Sequence, residues 1–313
     1  MRKLLALVVL FAAPALAQAG PNAPCAIQRA ATAGQYVWLL CDEARLYVSA
    51  DAGASWQAKQ IPSDSKLRAI AFLDSRRGFV AGDEGVLLAT EDGGETWNRV
   101  EVPAQENLTS IWFTGERGWI AGWNGAILHS GDGGKTWERQ QSGVRHGLEC
   151  IYFADEQNGW AVGWVGTVVY TSDGGRTWQQ APTGSYWAIN SVFFRDAKSG
   201  WAVGFDGQIL RSRDGGRTWE KQESPTRSWL TSVLFDSDGR GWIAAQNELL
   251  VSDDGGESWK QVPVEGRFVQ QVLRTPKSLW VVGRHSILEQ EGPRAAVFRS
   301  IGTLSAAAPP QGF

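Results

Sequence analysis

The chain has 313 residues, of which 17 are tryptophan, and carries a formal net charge of −3 with 20% charged residues. So small and acidic a balance gives no concentrated basic surface, and nucleic acid is not expected as a partner. Three histidines, at 129, 146 and 285, lie without metal-ligand spacing, so no metal and no other cofactor is expected.

Residues 1–17 read as a signal peptide. Arg2 and Lys3 form a basic start, residues 4–11 a short apolar core, and Ala15-Leu-Ala17 a small-residue cleavage site. The apolar run is too short to span a bilayer, and no cysteine follows the cleavage site to carry a lipid. The mature protein is therefore expected to be exported to the periplasm without inserting into the membrane. Loss of Arg2 and Lys3 takes its net charge from −3 to −5. Exported chains sit where disulfides persist. Cys25 and Cys41 fall on the first two strands of the first repeat, where they are either bonded to each other or buried as separate thiols. Cys150 lies in the apolar stretch Leu148–Phe153 and is expected to be a buried thiol.

Residues 18–302 are organised by one repeat. The pattern Ser/Thr-x-Asp-Gly/Ala-Gly-x-Ser/Thr-Trp occurs six times, at Ser49–Trp56, Thr90–Trp97, Ser130–Trp137, Thr171–Trp178, Ser212–Trp219 and Ser252–Trp259. Its aspartates, Asp51, Asp92, Asp132, Asp173, Asp214 and Asp254, are separated by steps of 41, 40, 41, 41 and 40 residues. A fixed period of this length marks a solenoid, propeller or array. In each copy the carboxylate can accept backbone N–H groups and the glycine supplies positive φ, which is the chemistry of a tight turn. These aspartates are read as structural staples and not as catalytic acids.

Four strand signals fill each period. The first resembles Leu67–Phe72, the second Gly159–Gly163, the third runs into the Asp turn, and the fourth begins at the turn's tryptophan. Four short antiparallel strands in about 40 residues match one propeller blade. The second-strand aromatics number seven: Trp38, Phe79, Trp119, Trp160, Trp201, Trp242 and Trp280. The expected fold is all-β, a single seven-bladed β-propeller with four antiparallel strands per blade. The seventh blade lacks the turn motif and is expected to be completed by residues 295–299, leaving 303–313 as a flexible tail.

Two signatures occur together in this chain: Gly-Trp-Ala-Val-Gly, and after it Ser/Thr-x-Asp-Gly-Gly-x-Thr-Trp. The second alone resembles the Asp-box, or bacterial neuraminidase repeat, shared by sialidases, sortilins and some glycoside hydrolases. The two together resemble the photosystem II assembly and stability factor family, over nearly the whole mature chain. That resemblance implies a non-catalytic exported scaffold that binds an assembling membrane protein or envelope complex. It implies the thylakoid lumen as the compartment if the source is photosynthetic. A monomer is expected.

The alternative is a glycan-binding or sialidase-type glycosidase propeller. Most glycosidases need two carboxylates facing across the substrate. The Phe/Tyr-Arg-Ile-Pro segment that sialidases carry before their repeats is absent, and four of the five tyrosines, Tyr36, Tyr47, Tyr152 and Tyr170, lie inside strands. No Gly-x-Ser-x-Gly or phosphate-binding loop occurs. No catalytic residues are assigned.

Thirteen tryptophans hold repeat positions; Trp123, Trp164, Trp187 and Trp229 do not. In a four-stranded blade the turn after the second strand and the loop leading into the first emerge on the same face, opposite the Asp turns. Trp123, Trp164 and Phe205 occupy the former; Trp187 and Trp229 occupy the latter, with Arg145, His146, Tyr186 and Arg227. Aromatics interleaved with arginine have the composition of interface hot spots. These nine residues form the expected partner-binding face.

Overall fold

The computed structural model describes residues 25–264, 268–292 and 298–303; the signal peptide and most of the tail expected above lie outside them. The described residues form seven four-stranded antiparallel sheets. Each sheet is built from four strands consecutive in the chain, such as Leu148–Phe153, Gly159–Gly163, Val168–Thr171 and Gln179–Gln180 in blade 4. The outer strand of the seventh blade is Phe298–Thr303, later than the expected 295–299, so Thr303 belongs to the blade and not to the tail. The other six outer strands begin one residue after the motif tryptophan, whose indole packs back under the turn.

The second strands explain why the ring holds. Gly-Trp-Ala-Val-Gly is buried throughout, with both sides of the strand packed. Its tryptophan crosses to the next blade. Trp160 stacks on Phe194 with centroids 3.5 Å apart, and its Nε1 donates to the Gly215 carbonyl oxygen at 2.9 Å. Trp38, Trp119 and Trp201 make the same bond to Gly93, Gly174 and Gly256, each 55 residues ahead. Trp242 Nε1 and Trp280 Nε1 have no acceptor among the described residues. The apolar core is accordingly divided between the blades, one cluster at each interface; Trp160, Val162 and Val168 of blade 4, for example, pack with Ile189, Phe194 and Leu210 of blade 5.

Among the described residues blades 7 and 1 are each built from four consecutive strands, and the ring closes between them by side-chain and backbone bonds. Ala30 N donates to Gln271 Oε1 at 2.9 Å, Gln271 Nε2 returns a bond to Ala30 O at 3.2 Å, and Ile27 N donates to Arg284 O at 2.8 Å. Cys25 and Cys41 are bonded to each other, Cα atoms 5.6 Å apart. They lie in the cluster that joins Ile27 and Leu39 to Trp280 and Val282, so the bond pins the first strand where the ring closes.

Each Asp turn is a closed hydrogen-bond ring. In blade 3 the Ser130 hydroxyl donates to Asp132 Oδ1 at 2.8 Å and accepts from Gly134 N; Thr136 N donates to Oδ1 and Thr136 Oγ1 to Oδ2. The Thr136 hydroxyl, and then its N–H, hold the Asp132 carboxyl at about 2, below its ordinary value. A carboxyl depressed in the fold contributes stability that is present above its unfolded pKa of about 3.9 and is lost as pH falls through about 2. Asp132→Ala is therefore expected to unfold about 1 kcal/mol more easily near neutral pH, the value of a lost cap. The gap from wild type should narrow between pH 4 and 2. Urea unfolding across that range checks it, and a gap independent of pH would show that the carboxylate's charge contributes nothing.

The innermost strands line an axial channel. Cys150, expected to be buried in the core, instead faces this channel and is partly accessible. It stands where the neighbouring blades place Ser110 and Ser191, whose hydroxyls accept N–H bonds from Ile151 and Val233 of the next blade. Burial pushes its thiol pKa up, which keeps it protonated.

Candidate functional site

The two loop sets opposite the Asp turns interlock by backbone bonds. Trp123 N donates to Asn107 O, Trp164 N to Gly147 O, Phe205 N to Ala188 O, and Gly166 N back to Trp187 O, all at 2.9–3.0 Å. The turn after the second strand and the loop leading into the first therefore emerge together. The chain turns there with a left-handed residue followed by glycine. In blade 5 these are Asp206 at φ 55 and Gly207 at φ 66, where a Cβ would stand 1.9 Å from Thr226 O.

On this base sit the large exposed apolar side chains of the described residues: Trp164 at 45% exposure, Val165 at 49%, Tyr186 at 87%, Trp187 at 54%, Phe205 at 39%, Trp229 at 42% and Phe268 at 44%. All seven lie opposite the Asp turns, on the loops of blades 4 to 7. Phe205 stacks on Trp229 with centroids 4.7 Å apart, and Trp123 packs on Trp164 at 5.5 Å. Trp123 is half-buried beneath the Arg68 guanidinium, 5.4 Å from its ring centroid. Trp164 Nε1 donates to Glu149 Oε1 at 2.6 Å. Arg145, His146 and Arg227 are exposed beside them, and among the described residues neither arginine has a carboxylate within ion-pair distance. His146 Nδ1 lies 3.2 Å from Thr167 Oγ1.

Two members of this patch escaped the reading of the sequence. Phe268 immediately precedes the first strand of blade 7, as Trp229 precedes that of blade 6, so the repeat register could have found it. Val165 carried no signal. It is β-branched yet sits at φ 55, and Phe268 sits at φ 60. Left-handed backbone is costly for such side chains, and neither gains burial in return. Arg68 and Glu149, which hold two of the indoles, were also missed, since only the fold brings them against Trp123 and Trp164.

Chemically the patch can bind. Among the described residues no three His, Cys, Asp or Glu side chains gather as a metal site. What it offers is stacked aromatic area, two uncompensated guanidinium groups and indole edges, which suit an amphipathic segment bearing acidic side chains.

Comparison with known proteins places these features. A family model described as "Photosynthesis system II assembly factor YCF48" matches residues 48–146, 140–210 and 186–273. Among solved structures, "YCF48 bound to D1 peptide" has a TM-score of 0.64 at 23% identity, covering 78% of this chain and 84% of that one. YCF48 from Cyanidioschyzon merolae has a TM-score of 0.57 at 19% identity, covering 79% and 85%. The WD40 β-propeller domain of Doa1 has a TM-score of 0.69 at 9% identity, covering 86% and 93%. These structural likenesses speak for the fold. No curated protein matches the chain.

Proposed function

The chain belongs to the photosynthesis system II assembly factor YCF48 family, and from that premise we propose that it is an exported, non-catalytic assembly scaffold. It acts as a monomer and holds a segment of a membrane protein on the face opposite its Asp turns. The observation that carries this reading is the confinement of seven exposed apolar side chains to one face of four consecutive blades. Contiguous exposed apolar surface rimmed by polar groups marks an interaction site. The D1 peptide bound by a structural neighbour supports a peptide segment as the occupant. Trp164, Trp187, Trp229, Tyr186 and Phe205 supply the anchors, with Trp123 beneath Trp164; Arg145 and Arg227 supply the charge that selects an acidic segment, with His146 beside them.

Joint replacement of Trp164, Trp187, Trp229, Arg145 and Arg227 by alanine tests it. All five side chains are exposed, so the melting temperature should move little. Affinity for a D1 peptide, read by fluorescence anisotropy, should fall at least 100-fold, since two anchors of about 2 kcal/mol each account for more than that. A folded variant that binds the peptide as the wild type does would place the partner site elsewhere. Turnover of sialosides or other glycans by the wild type would instead favour the glycosidase alternative.

A further inference from the structure

The axial channel has a second set of features that the partner face does not use. Its cavity measures about 480 Å³, within the ~300–1,000 Å³ of small-molecule sites. The waist of the channel is uneven. At the position paired with the second-strand aromatic, blades 3, 4 and 5 place Trp112, Tyr152 and Phe193, while blades 1 and 2 place Ala31 and Ala71. The three rings form a continuous wall, with centroids 4.7 Å and 5.2 Å apart. Tyr152 donates its hydroxyl to Phe194 O at 2.9 Å, and burial pushes its pKa up to about 12, so the wall carries no charge. The open side of the waist therefore lies against the two alanines, facing aromatic surface.

Arg29 lines the same channel, two residues before Ala31 on the same side of its strand, roughly 6.6 Å from it by strand rise. Its Nη1 donates to Gln28 O at 2.9 Å, and among the described residues no carboxylate lies within ion-pair reach. Glu149, across the channel, already accepts the Trp164 indole N–H. Arg29 is exposed to the channel and its guanidinium stays charged, so it can pair with an anion that enters. The alanine notch fixes what kind of anion fits.

We propose that the channel is a binding site for a small aromatic carboxylate. The ring lies between Ala31 and Ala71 on one side and the Trp112–Tyr152–Phe193 wall on the other, and the carboxylate pairs with Arg29. The probe is 3-phenylpropionate, titrated into the mature chain by calorimetry and by saturation-transfer NMR, with neutral 3-phenylpropanamide alongside. The acid should bind with a submillimolar Kd and the amide at least tenfold more weakly. Arg29→Gln should weaken the acid at least tenfold and leave the amide unchanged. Ala71→Phe should abolish both by filling the notch; if it lowers the melting temperature, Arg29→Gln decides alone. No saturation transfer from millimolar acid, equal affinity for acid and amide, or wild-type affinity in Arg29→Gln would each overturn the assignment.

Discussion

Replacing Trp160 by alanine is expected to remove about 3–5 kcal/mol of folding stability, the range for a buried large aromatic. Trp160 is 1% exposed, stacks on Phe194 and donates to Gly215 O, so the loss falls on the interface between blades 4 and 5 and not inside one blade. A domain has only about 5–15 kcal/mol in total, so this variant should unfold at much lower urea. Phe79 shows what the position tolerates: it fills the same place in blade 2, stacking on Phe113 at 5.1 Å without a ring nitrogen. Trp160→Phe should therefore cost clearly less, the lost bond of about 1 kcal/mol plus a smaller cavity. Urea unfolding of the two variants checks the order. Equal losses would mean that the hydrogen bond, and not the packed area, holds the blades together.

The second large effect comes from a glycine in the turn that this tryptophan touches. Gly216 sits at φ +82, and a Cβ there would meet Trp160 Nε1 at 2.4 Å and Phe194 Cζ at 3.3 Å. Gly216→Ala should cost about 1–2 kcal/mol for left-handed backbone and about 1–3 kcal/mol for overpacking a rigid indole. The two causes separate in a double-mutant cycle. In a Trp160→Ala background the clash with the indole disappears and mainly the backbone cost remains, so the two substitutions should couple by about 1–3 kcal/mol. Simple additivity would show that the turn glycine serves its own loop alone. Gly143, at φ +76 with nothing within 4 Å of a Cβ, is the control that isolates backbone strain.

Much of this architecture could be read along the chain because its causes are local and repeated. Asp-Gly-Gly followed by Ser/Thr-Trp is turn chemistry wherever it stands, and six copies at a 40–41 residue step fix the blade as the unit. Seven second-strand aromatics then fix the number of blades, and blade geometry alone assigns Trp164, Trp187 and Trp229 to the face opposite the Asp turns. Strand bounds were less legible, since the motif tryptophan turns inward before the outer strand begins.

Other features depend on which blade stands beside or across from which, and no local pattern encodes that. An innermost strand such as Leu148–Phe153 sends Ile151 and Phe153 toward blade 3 and Cys150 and Tyr152 toward blade 5, and only the ring sets its edge on the channel. That is why Cys150 turns to the channel. The Trp160–Gly215 bond spans 55 residues, more than one period, and the pairing of Ala30 with Gln271 spans 241. The burial of Trp123 beneath Arg68 of the neighbouring blade and the gathering of Arg29, Glu149 and Cys150 in one channel follow from the ring, whereas the support of Trp164 by Glu149 follows from the pairing of two strands within blade 4. Periodic sequence determines the blade, because each blade's turns and strands draw on neighbours close in the chain. The ring determines the sites, because its closure sets side by side residues that the sequence keeps one or more whole blades apart.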